Sequence, residues 1–355
     1  MHRGSCNFKY ILSCCVLFPF VYLTLLCAFG QKAVLYAVDG TSRNSNTTTL
    51  VSAYFPLTAS KHSSDEYKKW LSNLFSNVNT PMVIYTTPQF APTIQELRGD
   101  FPTIIRTQYE SPFNVTPLQG LEEIYNGKQH DLDREKSYHN GNLYAIWNSK
   151  PFLVAETAKE NPFSSEFFFW VDSGSFRDGS HIFRNWPDPN RVREVFAEGK
   201  AQTGMDSLLL GVVYPPEEKL KSWRYNDGPI DADIIEGGIF GGRKELVIWW
   251  SDTYYDTHDY YLRQGYFVGK EQPVMNSLAV RESRKIIIVY LDSGSCGDRW
   301  FYFQPWLASV KERGSYDDCN ITPVRSMKKW WNGFFPEMEY LDSIQLSVTD
   351  TPLIL

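Results

Sequence analysis

Asp172 ends an unbroken apolar run, Phe167 to Val171, and is followed by Ser173, Gly174 and, three residues further on, Arg177. Five apolar residues in succession lack the alternation of a half-wet strand and predict a central strand covered on both faces. In open α/β sheets ligands gather beyond the carboxyl ends of such strands, so an acid there is placed to meet one. A carboxylate in that position can hold a divalent cation, which in turn neutralises a diphosphate. Arg177 can serve the same anion or pair with a surface acid. The competing reading is an ordinary turn opened by Asp172 and eased by Gly174.

Three other places carry reactive groups. Glu236 stands directly before Gly237 and Gly238 in a stretch, residues 234–242, that holds four glycines. Small residues let a ligand approach the backbone, and a carboxylate beside them can accept a proton from an acceptor hydroxyl. Glu271, followed by Gln272, is the alternative base. Residues 285–291 predict another strand, and it ends in Asp292-Ser293-Gly294, which makes Asp292 a second candidate cation ligand. For each of these acids a solvated loop carboxylate is the competing reading. The histidines show no metal-ligand spacing, and none follows His258. There is no G-x-S-x-G elbow, no Walker phosphate loop and no G-x-G-x-x-G after the first strand, which argues against hydrolase, kinase and dehydrogenase classes.

The elements that must position these residues follow from periodicity. Residues 49–55, 81–86 and 101–106 predict strands. A capping box at Ser63 and Glu66 opens a helix with Tyr67, Trp70, Leu71, Leu74 and Val78 at helical spacing. Strand, helix, strand at this spacing predicts a right-handed parallel crossover. Residues 107–140 are polar with weak periodicity and predict a long insertion over the sheet. Residues 142–150 and 152–159 predict helix, with Pro151 starting a second helix or kinking one. Residues 191–198 predict a short helix, 207–213 a strand, and 244–263 a helix stopping at Gly265. A loop over residues 269–276 leads into another helix. The class is α/β, one large domain from residue 48 to 355.

A net charge of −6 gives no general nucleic-acid footprint, so no nucleic-acid partner is expected. Aromatic content of 15% supplies flat faces for a sugar cleft as well as for the core. Residues 11–29 carry no charge and are long enough to span a bilayer, with Arg3 and Lys9 before them. They predict an N-terminal transmembrane signal anchor after a cytosolic tail (1–10) and before a stem (30–47), giving a single-pass type II membrane protein facing the Golgi or endoplasmic reticulum lumen. Cleavage and secretion is the alternative. Cys296 and Cys319 are the two cysteines beyond this segment and are expected to form one disulfide. Sequons at Asn46, Asn114 and Asn320 agree with a lumenal setting.

Taken in order, Ala53-Tyr-Phe55, Lys61-His-Ser-Ser-Asp-Glu-Tyr67, Asn142-Leu-Tyr-Ala-Ile-Trp-Asn-Ser-Lys150, Asn161-Pro-Phe163, Phe169-Trp-Val-Asp-Ser-Gly174 and Gly237-Gly-Ile-Phe-Gly-Gly242 resemble the HtrL/YibB family. The likeness spans residues 48–279. That family is grouped with GT-A glycosyltransferases, so the resemblance implies a Rossmann-like, mostly parallel sheet flanked by helices that binds a nucleotide-sugar donor and a glycan acceptor. It implies Mn2+ or Mg2+ as a cofactor, held at Asp172 before Ser173 and Gly174, with Gly237, Gly238, Glu271 and Gln272 lining the donor and acceptor; on the residue reading Arg177 joins the donor's diphosphate and Glu236 or Glu271 stands near the acceptor. Gly174 stands where the second acid of the D-x-D motif would be, and the usual late histidine ligand has no counterpart. A catalytically inactive sugar-binding or scaffold protein of the same fold is the alternative.

Overall fold

The computed structural model describes residues 34–35, 47–57, 62–291, 298–314 and 323–336. Residues 11–29, Asn46, Asp292, Cys296, Cys319 and Asn320 lie outside the described residues. Among the described residues no helix is long and apolar enough to cross a membrane.

Nine strands form one sheet: β1 (Val34–Leu35), β2 (Thr48–Tyr54), β3 (Met82–Thr86), β4 (Thr103–Arg106), β5 (Phe167–Val171), β6 (Leu208–Val212), β7 (Ile235–Arg243), β8 (Ile286–Tyr290) and β9 (Arg325–Ser326). Their order is β1-β4-β3-β2-β5-β7-β6-β8-β9. Strands β4, β3, β2 and β5 are mutually parallel, as are β6 and β8. Strand β7 runs against both its neighbours, and the short edge strands β1 and β9 are also antiparallel. The expected mostly parallel sheet therefore holds across the centre, with one reversed strand in its middle. From β2 the chain winds outward to β3 and β4, then returns to place β5 on β2's other side. That reversal of winding direction between β2 and β5 is where open α/β sheets bind ligands.

Helices cover both faces. α1 (Ser64–Phe75) starts at the expected capping box: the Glu66 amide donates to Ser63 Oγ at 3.2 Å and the Ser63 amide donates to Glu66 Oε2 at 2.8 Å. With α2 (Ala91–Arg98) and α4 (Pro189–Thr203) it packs on the face holding Phe167, Phe169 and Val171. The other face holds Phe168 and Trp170 under α3 (Gly141–Glu160), α5 (Lys244–Arg263), α6 (Glu271–Arg281) and α7 (Met327–Phe334). Period-2 alternation along β5 thus divides its apolar residues between two cores, which explains a strand with no polar face.

Three expectations change. Of the two alternatives for Pro151, the start of a second helix is overturned: α3 runs through it as one helix of 20 residues, capped by Asn140 and ended by Asn161 with φ 45°. Residues 107–140 are not a plain insertion over the sheet. They form short helical turns, including a π turn at Tyr125–Gln129, and bury Phe113, Val115, Leu118 and Tyr125 in the core. The loop expected up to residue 276 is already helix from Glu271 onward.

Buried Arg98 fastens the ends of these elements. It donates to the carbonyls of Phe75, Val78, Thr80 and Pro102 and to Thr103 Oγ1, and burial pulls its guanidinium down to about 9. Replacing Arg98 by Met leaves those carbonyls without their donor, so a loss of about 2–4 kcal/mol is expected. Urea unfolding checks it; a loss below about 1 kcal/mol contradicts the fastening role.

Candidate active site

Asp172 follows β5 directly, and its amide donates to the Gly238 carbonyl at 2.8 Å, extending the pairing of β5 with β7. Its side chain has the parity of Trp170 and so lies on the α3 face. Trp170 Nε1 donates to Asp172 Oδ1 at 2.6 Å. Across that face α3 delivers Lys150, whose side chain is 2% exposed. Lys150 Nζ lies 3.0 Å from Asp172 Oδ1 and 3.1 Å from Oδ2, 2.7 Å from Glu271 Oε1 and 3.0 Å from the Gly237 carbonyl. One ammonium thus joins β5, β7 and the first residue of α6.

Burial acts to lower the Lys150 pKa, but Asp172 and then Glu271 more than offset it and hold the ammonium above its ordinary value. Glu236 is the opposite case. Burial, and then the negative Asp172 nearby, push its carboxyl well above the usual range against the pull of the Gly238 amide and Lys150. The Gly238 amide donates to Glu236 Oε1 at 2.7 Å, while Oε2 is buried with no partner among the described residues. Asp172, with its side chain 37% exposed, is the most accessible of the three carboxylates.

The glycines of β7 are required by this crowding. A Cβ at Gly237 would stand 2.5 Å from Glu271 Oε1, and one at Gly238 would stand 2.5 Å from Glu236 Oε1 and 3.4 Å from Asp172 Oδ2. The pairing of β6 with β7 slips between Leu210 and Gly211, so Leu210 faces Phe240 while Gly211 faces Glu236. This irregularity frees the Gly237-Gly238 backbone from β6, in keeping with the way bulges re-aim side chains near sites. Gln272 Nε2 donates to the Ile235 carbonyl at 2.8 Å, and Asn276 Oδ1 accepts from the Ile235 amide at 2.9 Å. Both side chains of α6 therefore hold the start of β7 in place.

After Asp172 the chain turns. Its carbonyl accepts from the Ser175 amide at 3.1 Å and from Ser175 Oγ at 2.7 Å, with buried Ser173 and half-buried Gly174 inside the turn. Arg177 leaves the turn exposed, its guanidinium 4.4 Å from the Trp70 ring centroid and 4.8 Å from that of Phe301. Its Nε donates to the Gly174 carbonyl at 3.3 Å. A guanidinium stacked between two rings keeps its edge donors available for a planar anion.

The structure therefore gathers Asp172, Glu236, Gly237, Gly238, Glu271 and Gln272 around one point, with Ser173, Gly174 and Arg177 on the adjoining turn. Asp292 lies outside the described residues. Lys150 joins this cluster without having been singled out from the sequence; its signal is that it is the one charged side chain between residues 141 and 155.

The described residues do not suit a divalent cation. Among them no three His, Cys, Asp or Glu side chains form a metal-holding group. Both Asp172 oxygens and Glu271 Oε1 already face the Lys150 ammonium.

Glu236 makes stability depend on pH in a definite direction. A carboxyl whose folded pKa exceeds its unfolded value of about 4.3 binds its proton more tightly when folded. Its contribution is complete below about pH 4.3 and is lost as pH rises through the native value. Urea unfolding from about pH 4 to 8 is expected to show wild type losing stability relative to Glu236→Gln as pH rises. A constant difference between the two contradicts the raised Glu236 carboxyl.

No family model matches this chain, and no curated protein matches it. Among solved structures, the apo crystal structure of mouse xyloside xylosyltransferase 1 aligns with a TM-score of 0.38 and 9% identity over 69% of this chain and 85% of that one. At that level the likeness says nothing about activity.

Proposed function

We propose that the chain is a glycosyltransferase that moves a sugar from a nucleotide-sugar donor to a glycan or glycoprotein acceptor. The observation that carries this reading is the place of Asp172: a partly exposed acid beyond the carboxyl end of β5, at the reversal of winding between β2 and β5, beside a glycine-lined strand. Membership of the HtrL/YibB family, whose motifs those of this chain resemble, is part of the same proposal. Asp172 accepts a hydroxyl of the donor, and Arg177 on its aromatic pair offsets the diphosphate charge as the leaving group departs. Burial and the nearby Asp172 raise the Glu236 carboxyl, which leaves Glu271 as the candidate to take the acceptor's proton. Residues 11–29 would anchor the chain as a type II protein of the Golgi or endoplasmic reticulum. The exposed side chain of Asn114 suits a glycan acceptor in that lumen.

A second reading is a catalytically inactive sugar-binding protein. It is favoured by the engagement of both Asp172 oxygens and by Gly174 in place of a second acid. Thermal denaturation with uridine and guanosine diphosphates separates the two. The transferase reading expects a rise in melting temperature that Arg177→Ala weakens by about tenfold or more in apparent affinity. Stabilisation by glycans with none by nucleotides supports the second reading instead.

A further inference from the structure

We infer that the Lys150 ammonium stands in the place of a donor-binding divalent cation, so that the site takes its anionic ligand without a metal ion. Four oxygens surround Nζ within 2.7 to 3.1 Å: two from Asp172, one from Glu271 and the Gly237 carbonyl. Carboxylate and carbonyl oxygens together are the donor set of a hard cation, and here a protein cation fills it. Ordinary surface ion pairs do not look like this. Lys150 is 2% exposed and Glu271 4%, the three partners come from three different elements, and the glycine at 237 leaves room for Glu271 to approach.

The position also has a charge logic. Lys150 balances one of its two acids, Asp172 and Glu271. With the oxygen cage filled by Lys150, the diphosphate charge falls to Arg177, which has no ion pair among the described residues and presents its guanidinium between Trp70 and Phe301. The donor's neutral hydroxyls are left to Asp172. The residue that sets cofactor use is therefore Lys150, with Asp172 and Glu271 as its cage. The inference rests on the proposed function only for the identity of the anionic ligand.

Titration of the full chain with Mn2+ alone, followed by the electron paramagnetic resonance of free Mn2+, tests it directly. Wild type is expected to leave the free signal undiminished, and Lys150→Met, which empties the oxygen cage, to gain Mn2+ affinity by about tenfold or more. If Lys150→Met does not fold, the wild-type titration still decides. One Mn2+ bound per wild-type chain and lost in Asp172→Asn overturns the inference. In a second arm, uridine and guanosine diphosphate binding is measured in EDTA and in Mn2+. Equal binding supports the inference, and a requirement for Mn2+ overturns it while leaving the transferase reading standing. Absence of nucleotide binding in both conditions counts against the transferase reading, and the Mn2+ titration then decides the inference by itself.

Discussion

Lys150→Met is expected to cost about 3–5 kcal/mol of folding stability, because removing one partner of a buried ionic cluster leaves the others uncompensated. Glu271 is 4% exposed and loses its 2.7 Å partner, and the Gly237 carbonyl loses its donor. Combining Lys150→Met with Glu271→Gln removes the stranded charge, so the double variant is expected to recover part of the loss, a coupling that a double-mutant cycle reads directly. The pH dependence has a definite sign. Lys150 has its folded value raised, so its contribution is complete below the unfolded lysine value of about 10.4 and is lost only as pH rises through the higher native one. Between neutrality and about pH 10 the stability gap between wild type and Lys150→Met should therefore stay level, and it should narrow in acid as the stranded carboxylates take up protons. A gap within about 1 kcal/mol of zero would mean the pair behaves as a surface bridge.

Asp172→Asn is the second large effect, and it acts on chemistry rather than on folding. The asparagine keeps the shape and can still accept from Trp170 Nε1, and Lys150 keeps Glu271, so a change of only about 1 kcal/mol in stability is expected at this partly exposed position. Transfer from whichever nucleotide sugar the wild type uses should fall by about 10²–10³-fold, the usual effect of removing one preorganised electrostatic group. Steady-state kinetics with matched circular dichroism spectra check both halves. Unchanged turnover with an intact fold would remove Asp172 from the machinery.

Much of this frame is legible in the residues. The run Phe167 to Val171 is a strand at the bounds its apolar residues indicate, since both its faces meet helices and no polar residue interrupts it. The capping box at Ser63 and the helix Lys244–Arg263 also follow from local signals. Strand direction is not local: nothing within residues 235–243 states that β7 runs against its neighbours, because direction is set by which strand it pairs with. Lys150 escapes notice for a related reason. A lysine is read as solvated by default, and only the closure of α3 over β5 shows that its amine ends among three oxygen-bearing elements. The turn after Asp172 could be placed, but the stacking of Arg177 on Trp70 and Phe301 joins residues far apart in the chain.

The most direct test of the central claim, that the edge at Asp172 receives a nucleotide sugar, is isothermal titration of nucleoside diphosphates into the full chain and its Asp172→Asn and Arg177→Ala variants. Saturable one-to-one binding to wild type, weakened by about tenfold or more in Arg177→Ala, is the predicted result. Asp172→Asn, whose acid meets the donor's hydroxyls, is predicted to weaken the intact nucleotide sugar more than the bare diphosphate. Absence of binding by any common nucleoside diphosphate, or equal binding of all ligands by all three proteins, would contradict it.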